Sequence, residues 1–572
     1  MKNSAAMISD RDVDIVDEKQ NKHVLGDPDL LYQHAFKGDD SDGKVGWTFR
    51  KVLVISVLSM LYTGAQLVLY FVGGSLNYIV ADLNSPSVAS WLSVANTLAI
   101  GAVCPFVGYT QDIFGKRWIS IIGAVLLCVG CLLLALANSF AQAVAGMAIA
   151  GVGAGIGELT GLAGLAEAMP VKHRGYASAI ITVFVLPFAP YVMYSELFCR
   201  NLSWRWAGGS LCEIYNAATL VGLAALYHPK GHSRASQLPW KTVVKQIDYL
   251  GGLLSTAGLT LLLVALQSGG YTHPWSSGFV LSMLIIGLLL LAVFTIWEWK
   301  FAPNPMIPHG LFQGQRTVAL AFGVAFVAGM NFYSLLNFWP VTIKNVWGTA
   351  VVPIGLRGFA GALAVASGAV VFNAALSIWP GGPRYILGLA AVMLTCFGGA
   401  LAVMTPENEI MSVAFGVLAS LGLGGLIVPS ATVAMIASAD AFITTCAALS
   451  LSVRAVGGSV GYSIFYAIFS DQLRTRLPQQ LAAYTVAAGL PIDQLRPFVA
   501  IYATLGPVQA AQLPGVTPQI LAAAGLGKQW AYAESLYYLW YTTIGFGCLA
   551  ILSAAFIPSL KRFASNRVAV AI

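Results

Sequence analysis

The chain has 572 residues, of which 57% are hydrophobic and only 10% are charged, and its mean hydropathy is +0.75. A soluble globular protein carries roughly 25% charged residues, because water touches most of its surface. A chain so poor in charge must expose much of its surface to lipid, which excludes an ordinary soluble protein. The net charge of +7 is typical of basic loops beside a membrane and does not indicate nucleic-acid binding.

The first 50 residues differ in composition from the rest of the chain. They hold ten of the 24 acidic residues, and the first apolar run begins only near Val52. This composition predicts an acidic, disordered cytoplasmic tail at 1–50. Because no signal peptide precedes the first apolar run, we expect the first span to direct the chain to the membrane.

Fourteen apolar runs have the length of about 20 residues that a transmembrane helix needs. In chain order they are 53–76, 88–109, 117–137, 141–163, 177–197, 207–227, 249–268, 278–298, 317–338, 353–377, 385–404, 410–434, 443–469 and 536–558. The sequence therefore predicts an all-α membrane protein with about 14 transmembrane helices.

Basic residues predict the orientation of these spans. With a cytoplasmic amino terminus, the inner positions hold fifteen Lys and Arg residues, whereas the short outer loops hold only Arg200, Arg205 and Lys344. Cytoplasmic loops carry the excess of Lys and Arg in membrane proteins. We therefore expect an even number of spans, with both termini cytoplasmic.

The spans divide as six, two and six, which is typical of transporters with two six-helix halves and an inserted pair. The predicted organisation is a tail at 1–50, a first bundle at 51–227, a basic cytoplasmic loop at 228–247, two inserted helices at 248–316, a second bundle at 317–558 that includes an outer loop at 470–535, and a cytoplasmic tail at 559–572.

Metal and nucleotide chemistry are not indicated. Cys128 and Cys131 form one C-x-x-C inside a span, without a second pair. His228 and His232 have ligand-like spacing, but no third ligand lies near them in sequence. The chain has no G-x-x-x-x-G-K-[ST] loop for ATP. We therefore expect no metal, no cofactor and no enzymatic activity.

The loop between the second and third spans reads GYTQDIFGKR. Gly108 allows helices to approach closely, and Gly115 permits a sharp turn. Asp112 can pair with basic groups or with the positive end of a neighbouring helix. Lys116 and Arg117 are expected to hold the loop at the anionic inner membrane face. The alternative is an ordinary polar turn with basic anchors.

This loop resembles the G-x-x-x-D-x-x-G-[KR]-[KR] loop of the major facilitator superfamily. The resemblance implies a major facilitator fold. It also implies that Gly108, Asp112, Gly115, Lys116 and Arg117 form a latch that stabilises one of two access states.

Further pieces extend the resemblance from about residue 45 to the end. They are GVGAGIGELT at Gly151–Thr160, WRW at Trp204–Trp206, DYLG at Asp248–Gly251, RAVGGSVGY at Arg454–Tyr462 and PGVT at Pro514–Thr517. Their order and spacing resemble the fungal fourteen-span facilitators, which include the trichothecene efflux pump family and its siderophore-transporter relatives.

Two departures from the family pattern leave import open beside export. Met147 stands where the family often has an arginine before G-x-G-x-G. The antiporter pattern G-x-x-x-G-P is absent from the fifth span, which carries LPFAP at Leu186–Pro190 instead.

A charge inside a span is expensive and usually faces a partner or water, and two residues stand out for this reason. Glu158 is expected in the inner half of the fourth span, and we interpret it as a proton-accepting carboxylate. Arg454 is central in the thirteenth span and stays charged, so it needs a counter-ion, water or an anionic substrate. The alternative for both is a structural ion pair or helix cap.

Other charges are expected to be structural. Glu213 is predicted to pair with Arg205 or Arg200. Glu167, Asp248 and Glu298 are expected to anchor loops at inner helix ends, and Asp440 is expected to cap the thirteenth span.

A substrate cavity is predicted from polar and aromatic residues that share helix faces. Its members are Tyr62, Gln66 and Tyr70 in span one, Asn331, Tyr333 and Asn337 in span nine, and Arg357 near the outer start of span ten. Such a lining suits a bulky, partly apolar compound. The alternative for each residue is ordinary helix packing.

The leading functional hypothesis is a proton-coupled secondary transporter that exports a small organic compound, such as a toxin, secondary metabolite or drug, by proton antiport. The first alternative is import of a siderophore–iron complex by proton symport. The second is a non-transporting membrane receptor or a channel. We expect a monomeric, multi-pass protein in contact with lipid in the plasma membrane, with a vacuolar or vesicle membrane as the alternative.

Overall fold

The structure is a computed structural model that describes residues 46–84, 91–229, 244–245, 247–308, 311–312, 316–348 and 351–569. Most of the predicted acidic tail and of the basic loop at 228–247 lies outside these residues. Within the described part, fourteen helical stretches are long and apolar enough to cross a membrane. The predicted all-α membrane protein with 14 spans is therefore confirmed.

The spans are helical because a backbone in lipid must satisfy its own hydrogen bonds. The helices are α1 (Phe49–Asp82), α2 (Trp91–Phe114), α3 (Lys116–Ala135), α4 (Phe140–Ala168), α5 (Arg174–Val183), α6 (Tyr191–Asn201), α7 (Leu211–Leu226), α8 (Tyr249–Ser268), α9 (Gly278–Lys300), α10 (Thr317–Val346), α11 (Val351–Ile378), α12 (Pro383–Ala400), α13 (Glu409–Ala437), α14 (Ile443–Ala487), α15 (Ile492–Leu505), α16 (Pro507–Ala510) and α17 (Pro518–Ala555).

The fifth span, Val171–Asn201, is interrupted at its centre. Helices α5 and α6 are joined there by a short 3-10 turn at Leu186–Phe188. Pro187 and Pro190 lie at this break, and proline cannot donate the backbone hydrogen bond that a continuous helix needs. The LPFAP sequence therefore bends the span where it faces the centre of the molecule.

Several helices begin at a polar residue whose side chain accepts a backbone N–H three residues later. Thr48, Ser139, Ser277 and Thr517 act in this way, and Asp248 accepts from the nitrogen of Gly251 at 2.8 Å. Such caps satisfy N–H groups that have no partner within the helix. They set the residues at which α1, α4, α8, α9 and α17 begin.

The predicted loop anchors Asp248 and Glu298 both bind backbone N–H groups. Asp248 caps α8, and Glu298 at the end of α9 accepts from Met306 and Ile307 at 3.2 and 3.1 Å. These contacts fix both ends of the inserted pair.

The helices before and after the inserted pair meet along a long interface. Helix α14 packs against α2 and α4, whereas α11 packs against α5 and α6. The inserted helices α8 and α9 pack on each other, and α8 also contacts α2 and α14. The inserted pair therefore lies beside one seam of this interface and leaves the centre to the other twelve spans.

Small residues allow α10 and α14 to cross at backbone contact. A Cβ atom added to Gly329 would lie 2.8 Å from the carbonyl carbon of Arg454, which is closer than real Cβ atoms come. Helices in membranes associate closely through such small residues.

Replacing Gly329 by alanine is expected to destabilise the protein by about 1–3 kcal/mol, because overpacking would force α10 and α14 apart. The measurement is the thermal unfolding midpoint of the purified variant. Gly545→Ala in α17 is the matched control, since its Cβ would have no neighbour within 4 Å. Equal midpoints for the two variants would contradict the close crossing.

The segment 470–535, predicted as an outer loop, is helical for most of its length. Helix α14 has 45 residues and α17 has 38, lengths of about 67 and 57 Å at 1.5 Å per residue. Both exceed the bilayer core of about 30 Å. Their extensions pack with α15 around a separate apolar cluster that includes Leu481, Phe498 and Ile520.

Candidate functional site

The centre of the molecule holds one buried ion pair between α4 and α14. Arg454 donates from Nη2 to Oε2 of Glu158 at 2.8 Å, and the two side chains are 8% and 4% exposed. The other carboxylate oxygen, Oε1, accepts from Nε2 of Gln66 at 2.9 Å. The charge of each partner is thereby compensated.

Glu158 lies more centrally than the sequence predicts. The fourth span was expected to end five residues after Glu158, but α4 continues to Ala168. Glu158 is therefore about ten residues, or roughly 15 Å along the helix axis, from the end of α4. This depth places the carboxylate near the middle of the interface between α4 and α14.

A buried ion pair contributes little net stability, because removing two charges from water offsets their attraction. Removing only one partner is strongly destabilising, since it leaves the other charge uncompensated. Each of the two residues therefore depends on the other for compensation of its charge.

A cavity of about 1140 Å³, including its open mouth, lies beside this pair. Its walls come from α1, the kinked fifth span, α10, α11, α13 and α14. The lining side chains that carry polar or aromatic groups are Tyr62, Gln66, Tyr70, Thr182, Tyr191, Phe332, Trp339, Ser420 and Arg454. Most of the wall is apolar, as in sites for small organic molecules.

The structure brings part of the predicted cavity together. Tyr62, Gln66 and Tyr70 all line it, and the Tyr70 ring stacks on Tyr191 with centroids 5.1 Å apart. Tyr191 and Trp339 were missed by the sequence analysis. Aromatic residues in spans often mark the membrane interface, so their inward direction has no local signal in the sequence.

The remaining predicted cavity residues lie elsewhere. Asn331 is buried and donates to the carbonyl oxygen of Val327 at 3.1 Å, which leaves it outside the cavity wall. Tyr333 lines a second, smaller pocket of about 390 Å³ that also includes Gln267 of α8. The side chain of Asn337 is outside the described part of the structure.

Arg357 was predicted to line the cavity and does not. Its guanidinium binds Oε1 of Glu409 at 2.6 Å, and Arg357 is not among the residues that line the cavity. The neighbouring Gly358 lines the wall instead. Because Glu409 begins α13 fifty-two positions later, the sequence alone could not reveal this pairing.

The predicted partners of Glu213 are also different. Arg205 binds Asp82 at 2.9 Å, and Arg200 binds Glu196 at 3.8 Å. The hydrogen bonds from Trp204 and Arg205 hold the pKa of the exposed Asp82 carboxyl below its usual range. This pair connects the end of α1 to the start of the sixth span.

The end of α2 contacts the start of α14 through Asp112. Oδ2 of Asp112 accepts from the backbone N–H of Thr445 at 2.9 Å and from its hydroxyl at 2.6 Å. Thr445 lies in the first turn of α14, where the helix dipole favours a negative charge. Asp112 thereby joins α2 to the helix that carries Arg454.

Both glycines of the loop have the predicted roles. Gly115 has a φ of +86°, a conformation that favours glycine at the turn into α3. Gly108 faces α14, where an added Cβ would lie 3.1 Å from the carbonyl oxygen of Thr444. The absence of a side chain at Gly108 lets α2 approach α14 closely enough for the Asp112 contact.

One of the two basic residues of this loop, Lys116, acts differently from the expectation. Lys116 is buried and binds Oε1 of Glu167 at 2.6 Å, so it does not face the membrane surface. Arg117 lies over the ring of Trp118, at 5.3 Å from its centroid. Arg117 also donates from Nη2 to the carbonyl oxygen of Ala224 at 3.5 Å.

Arg174 adds a second contact across the same end of the interface. It donates to Oδ1 of Asp440 at 2.7 Å and to the carbonyl oxygen of Met435 at 2.8 Å. Arg567 binds the same carboxylate. Asp440 therefore joins separate parts of the chain and does not cap α14, whose first turn it was predicted to cap.

A third polar cluster lies deeper between the halves. The hydroxyl of Thr432 lies 2.8 Å from both the Ser178 hydroxyl and Oδ1 of Asn373. The Tyr176 N–H donates to Ser377 at 3.1 Å. Together with the contacts of Asp112 and Arg174, this cluster closes the cavity at the end where α2 meets α3.

Among the described residues, no group of three or more His, Cys, Asp or Glu side chains has an arrangement that could hold a metal ion. The chemistry of the site therefore rests on the ion pair, the cavity and the closed polar end. These features, on fourteen spans, define a membrane transporter of the major facilitator type.

The model of the family described as "Fungal trichothecene efflux pump (TRI12)" matches residues 40–572, and the chain belongs to this family. The chain is 26% identical over 526 residues to the "MFS-type efflux pump LUC4" of a Fusarium species, covering 89% of this chain and 87% of that protein. It is 24% identical over 444 residues to the "MFS-type transporter prx5" of Penicillium rubens, covering 74% and 78%.

Solved structures show the same fold. The proton:xylose symporter XylE bound to 6-bromo-6-deoxy-D-glucose has a TM-score of 0.52 at 12% identity, covering 89% of this chain and 95% of that chain. The human organic anion transporter MFSD10 has a TM-score of 0.51 at 14% identity, covering 89% and 100%. At this identity the comparison establishes the fold alone.

Proposed function

We propose that this protein exports a small organic compound from the cell in exchange for protons. The observation that carries the proposal is the buried pair of Glu158 and Arg454 at the wall of a central cavity. Ionisable groups within membrane spans typically mark proton or substrate pathways. The family and its efflux-pump relatives support export as the direction.

Antiport requires that proton and substrate compete for one state of the transporter. In the unprotonated state, Glu158 neutralises Arg454. A proton on Glu158 ends that compensation, and the charged guanidinium must then find another partner. Because Arg454 also lines the cavity, substrate binding and proton binding would both change its contacts. This shared residue couples the two events.

Alternating access requires that the closed end can open. The contacts of Asp112, Arg174 and Thr432 close one end, whereas the cavity extends from the middle of the helices towards the other. With the loop after α2 on the cytoplasmic side, as the basic residues predict, this conformation opens outward. We propose the plasma membrane as its location, because export from the cell needs that membrane.

The test is flux in reconstituted vesicles with an imposed proton gradient. A radiolabelled trichothecene, the compound class in the family's description, is expected to accumulate in acidic-inside vesicles, and a protonophore should abolish the accumulation. Proton-driven movement of a ferric siderophore in the same direction as the proton would favour symport instead. No protein-dependent flux of either compound under any gradient would support a receptor and contradict the proposal.

A further inference from the structure

The chain after α17 forms a strap, residues 556–569, that starts on the helices after the inserted pair. Ile557 and Leu560 are buried in the central apolar cluster, and the N–H of Leu560 donates to the carbonyl oxygen of Pro380 at 3.0 Å. Pro380 lies in the turn between α11 and α12. One end of the strap is therefore anchored to the helices α10–α17.

The other end of the strap binds the helices before the inserted pair through backbone atoms. The N–H of Val171 donates to the carbonyl oxygen of Arg567 at 3.1 Å, and the N–H of Lys172 donates to that of Ser565 at 3.2 Å. Both donors lie in the short 3-10 turn Val171–His173 between α4 and α5. Because these contacts use the backbone, no side-chain motif in the sequence marks them.

Arg567 fixes the position of the strap at this second contact. Its guanidinium binds Asp440, whose other carboxylate oxygen binds Arg174 at 2.7 Å. Asp440 lies in the turn between α13 and α14, and the Arg567 side chain is only 17% exposed. Charge-assisted hydrogen bonds of this kind are stronger than neutral ones. Arg567 is therefore a positioning residue, because Asp440 holds its side chain while its carbonyl oxygen binds the α4–α5 turn.

Opening of the closed end requires that the α4–α5 turn moves away from α13 and α14. Transporters of this fold alternate between access states by rocking one group of helices against the other. The strap cannot follow both groups, because its anchored end is bonded to the α11–α12 turn and its other end to the α4–α5 turn. The two backbone hydrogen bonds to the α4–α5 turn therefore have to break when this end opens.

We propose that the strap is a component of the gate at the closed end, and that its release from Val171 and Lys172 is a required step of opening. This inference rests on the proposed function only in taking the closed end to open during transport. It assigns residues after the last span a function in the transport cycle, beside the contacts of Asp112 and Arg174.

A reducible link between the strap and the α4–α5 turn tests this step. Lys172→Cys with Ser565→Cys, the strap–turn pair, places two thiols at the contact and keeps the backbone groups that form it. Both positions are half-buried. A short bifunctional methanethiosulfonate joins the thiols, and dithiothreitol releases them. We expect the link to reduce gradient-driven flux to the level of empty vesicles and the reductant to restore it.

A second pair of cysteines controls for the reagent. Gly381→Cys with Lys561→Cys, the anchor pair, lies at the anchored end, where a Cβ on Gly381 would be 2.7 Å from Cε of Lys561. Both positions belong to the part of the chain that moves with α10–α17, so linking them should leave the flux unchanged. Wild-type protein treated with the same reagent reports any effect on the eight native cysteines.

The native Cys446 provides a measurement that needs no substrate. It is fully buried in the first turn of α14, next to Thr445, and both Asp112 and Arg174 act on its thiol electrostatically. Separation of the helices at this end would expose the thiol to N-ethylmaleimide, and mass spectrometry of the digested protein measures the modified fraction. We expect labelling of Cys446 to be several-fold slower in protein linked at the strap–turn pair than in protein linked at the anchor pair.

Full flux through protein linked at the strap–turn pair, or equal labelling of Cys446 in the two linked proteins, would overturn the proposal. Linked and unlinked forms are the same variant, so a folding defect would already be visible before the reagent is added. Absence of flux in every unlinked protein, the wild type included, would contradict the proposed function, and the comparison of Cys446 labelling would still decide whether the strap is part of the gate.

Discussion

Replacing Glu158 by glutamine is expected to reduce proton-gradient-driven transport to the level of empty vesicles. Glutamine keeps the size of the side chain but cannot gain or lose a proton under these conditions. Exchange of labelled for unlabelled substrate without a gradient should persist, because it needs the cavity and not the proton. The measurement is initial flux in both modes on the same vesicle preparation.

The stability of this variant needs its own control, because Arg454 loses its counter-ion. Removing one partner of a buried pair costs about 3–5 kcal/mol, so Glu158→Gln should unfold at a lower temperature. The double variant Glu158→Gln with Arg454→Gln removes both charges and should recover much of that stability. If coupling is the function of Glu158, the double variant stays unable to use the proton gradient.

Glu534→Gln provides the matched control for the carboxylate. Glu534 also accepts from an arginine at 2.8 Å and from a glutamine at 2.8 Å, namely Arg476 and Gln480. It lies in the extension of α17, away from the central cavity. Transport by the Glu534→Gln variant should be normal.

Full gradient-driven transport by Glu158→Gln would refute the coupling role and leave a structural ion pair.

The span pattern could be predicted from the sequence because hydropathy is local. An apolar run of about 20 residues can satisfy its backbone in lipid only as a helix. The same rule explains the main error, at 470–535. Charges such as Asp471 and Arg474 end the apolar run, but a helix does not need to end where the membrane does. Hydropathy therefore predicted the spans and not the full lengths of α14 and α17.

The site could be predicted only as a set of separate residues. The energetic cost of a charge inside the membrane marks Glu158 and Arg454 as unusual. However, 296 positions separate them, and no local pattern fixes the register of α4 against α14. The same limit explains why Arg357 was assigned to the cavity while its true partner, Glu409, was not considered. Gln66 was placed in the cavity correctly, but its hydrogen bond to Glu158 depends on tertiary packing.

Replacing Asp112 by asparagine is expected to shift the protein towards the state in which the closed end opens. The carboxylate lies at the first turn of α14, where its charge interacts favourably with the helix dipole. In a partly buried geometry that interaction is worth up to about 2 kcal/mol, so the ratio of the two access states would change by up to about thirtyfold. Asparagine keeps an oxygen acceptor and loses the charge.

A cysteine at Ala362 in the cavity wall reports this shift through its rate of reaction with a membrane-impermeant maleimide. Added to the side where α2 meets α3, the reagent should react faster in Asp112→Asn than in the wild-type background. Asp82→Asn is the matched control, since the Asp82 carboxylate also accepts two hydrogen bonds, from Trp204 and Arg205, but lies at the opposite end of the spans. Thr445→Val should give a smaller increase, because it removes the 2.6 Å hydroxyl contact and keeps the N–H.

Equal labelling rates in Asp112→Asn and the wild type would mean that this carboxylate stabilises both access states alike. In that case the contacts of Arg174 and Thr432 would have to keep the cavity closed without it.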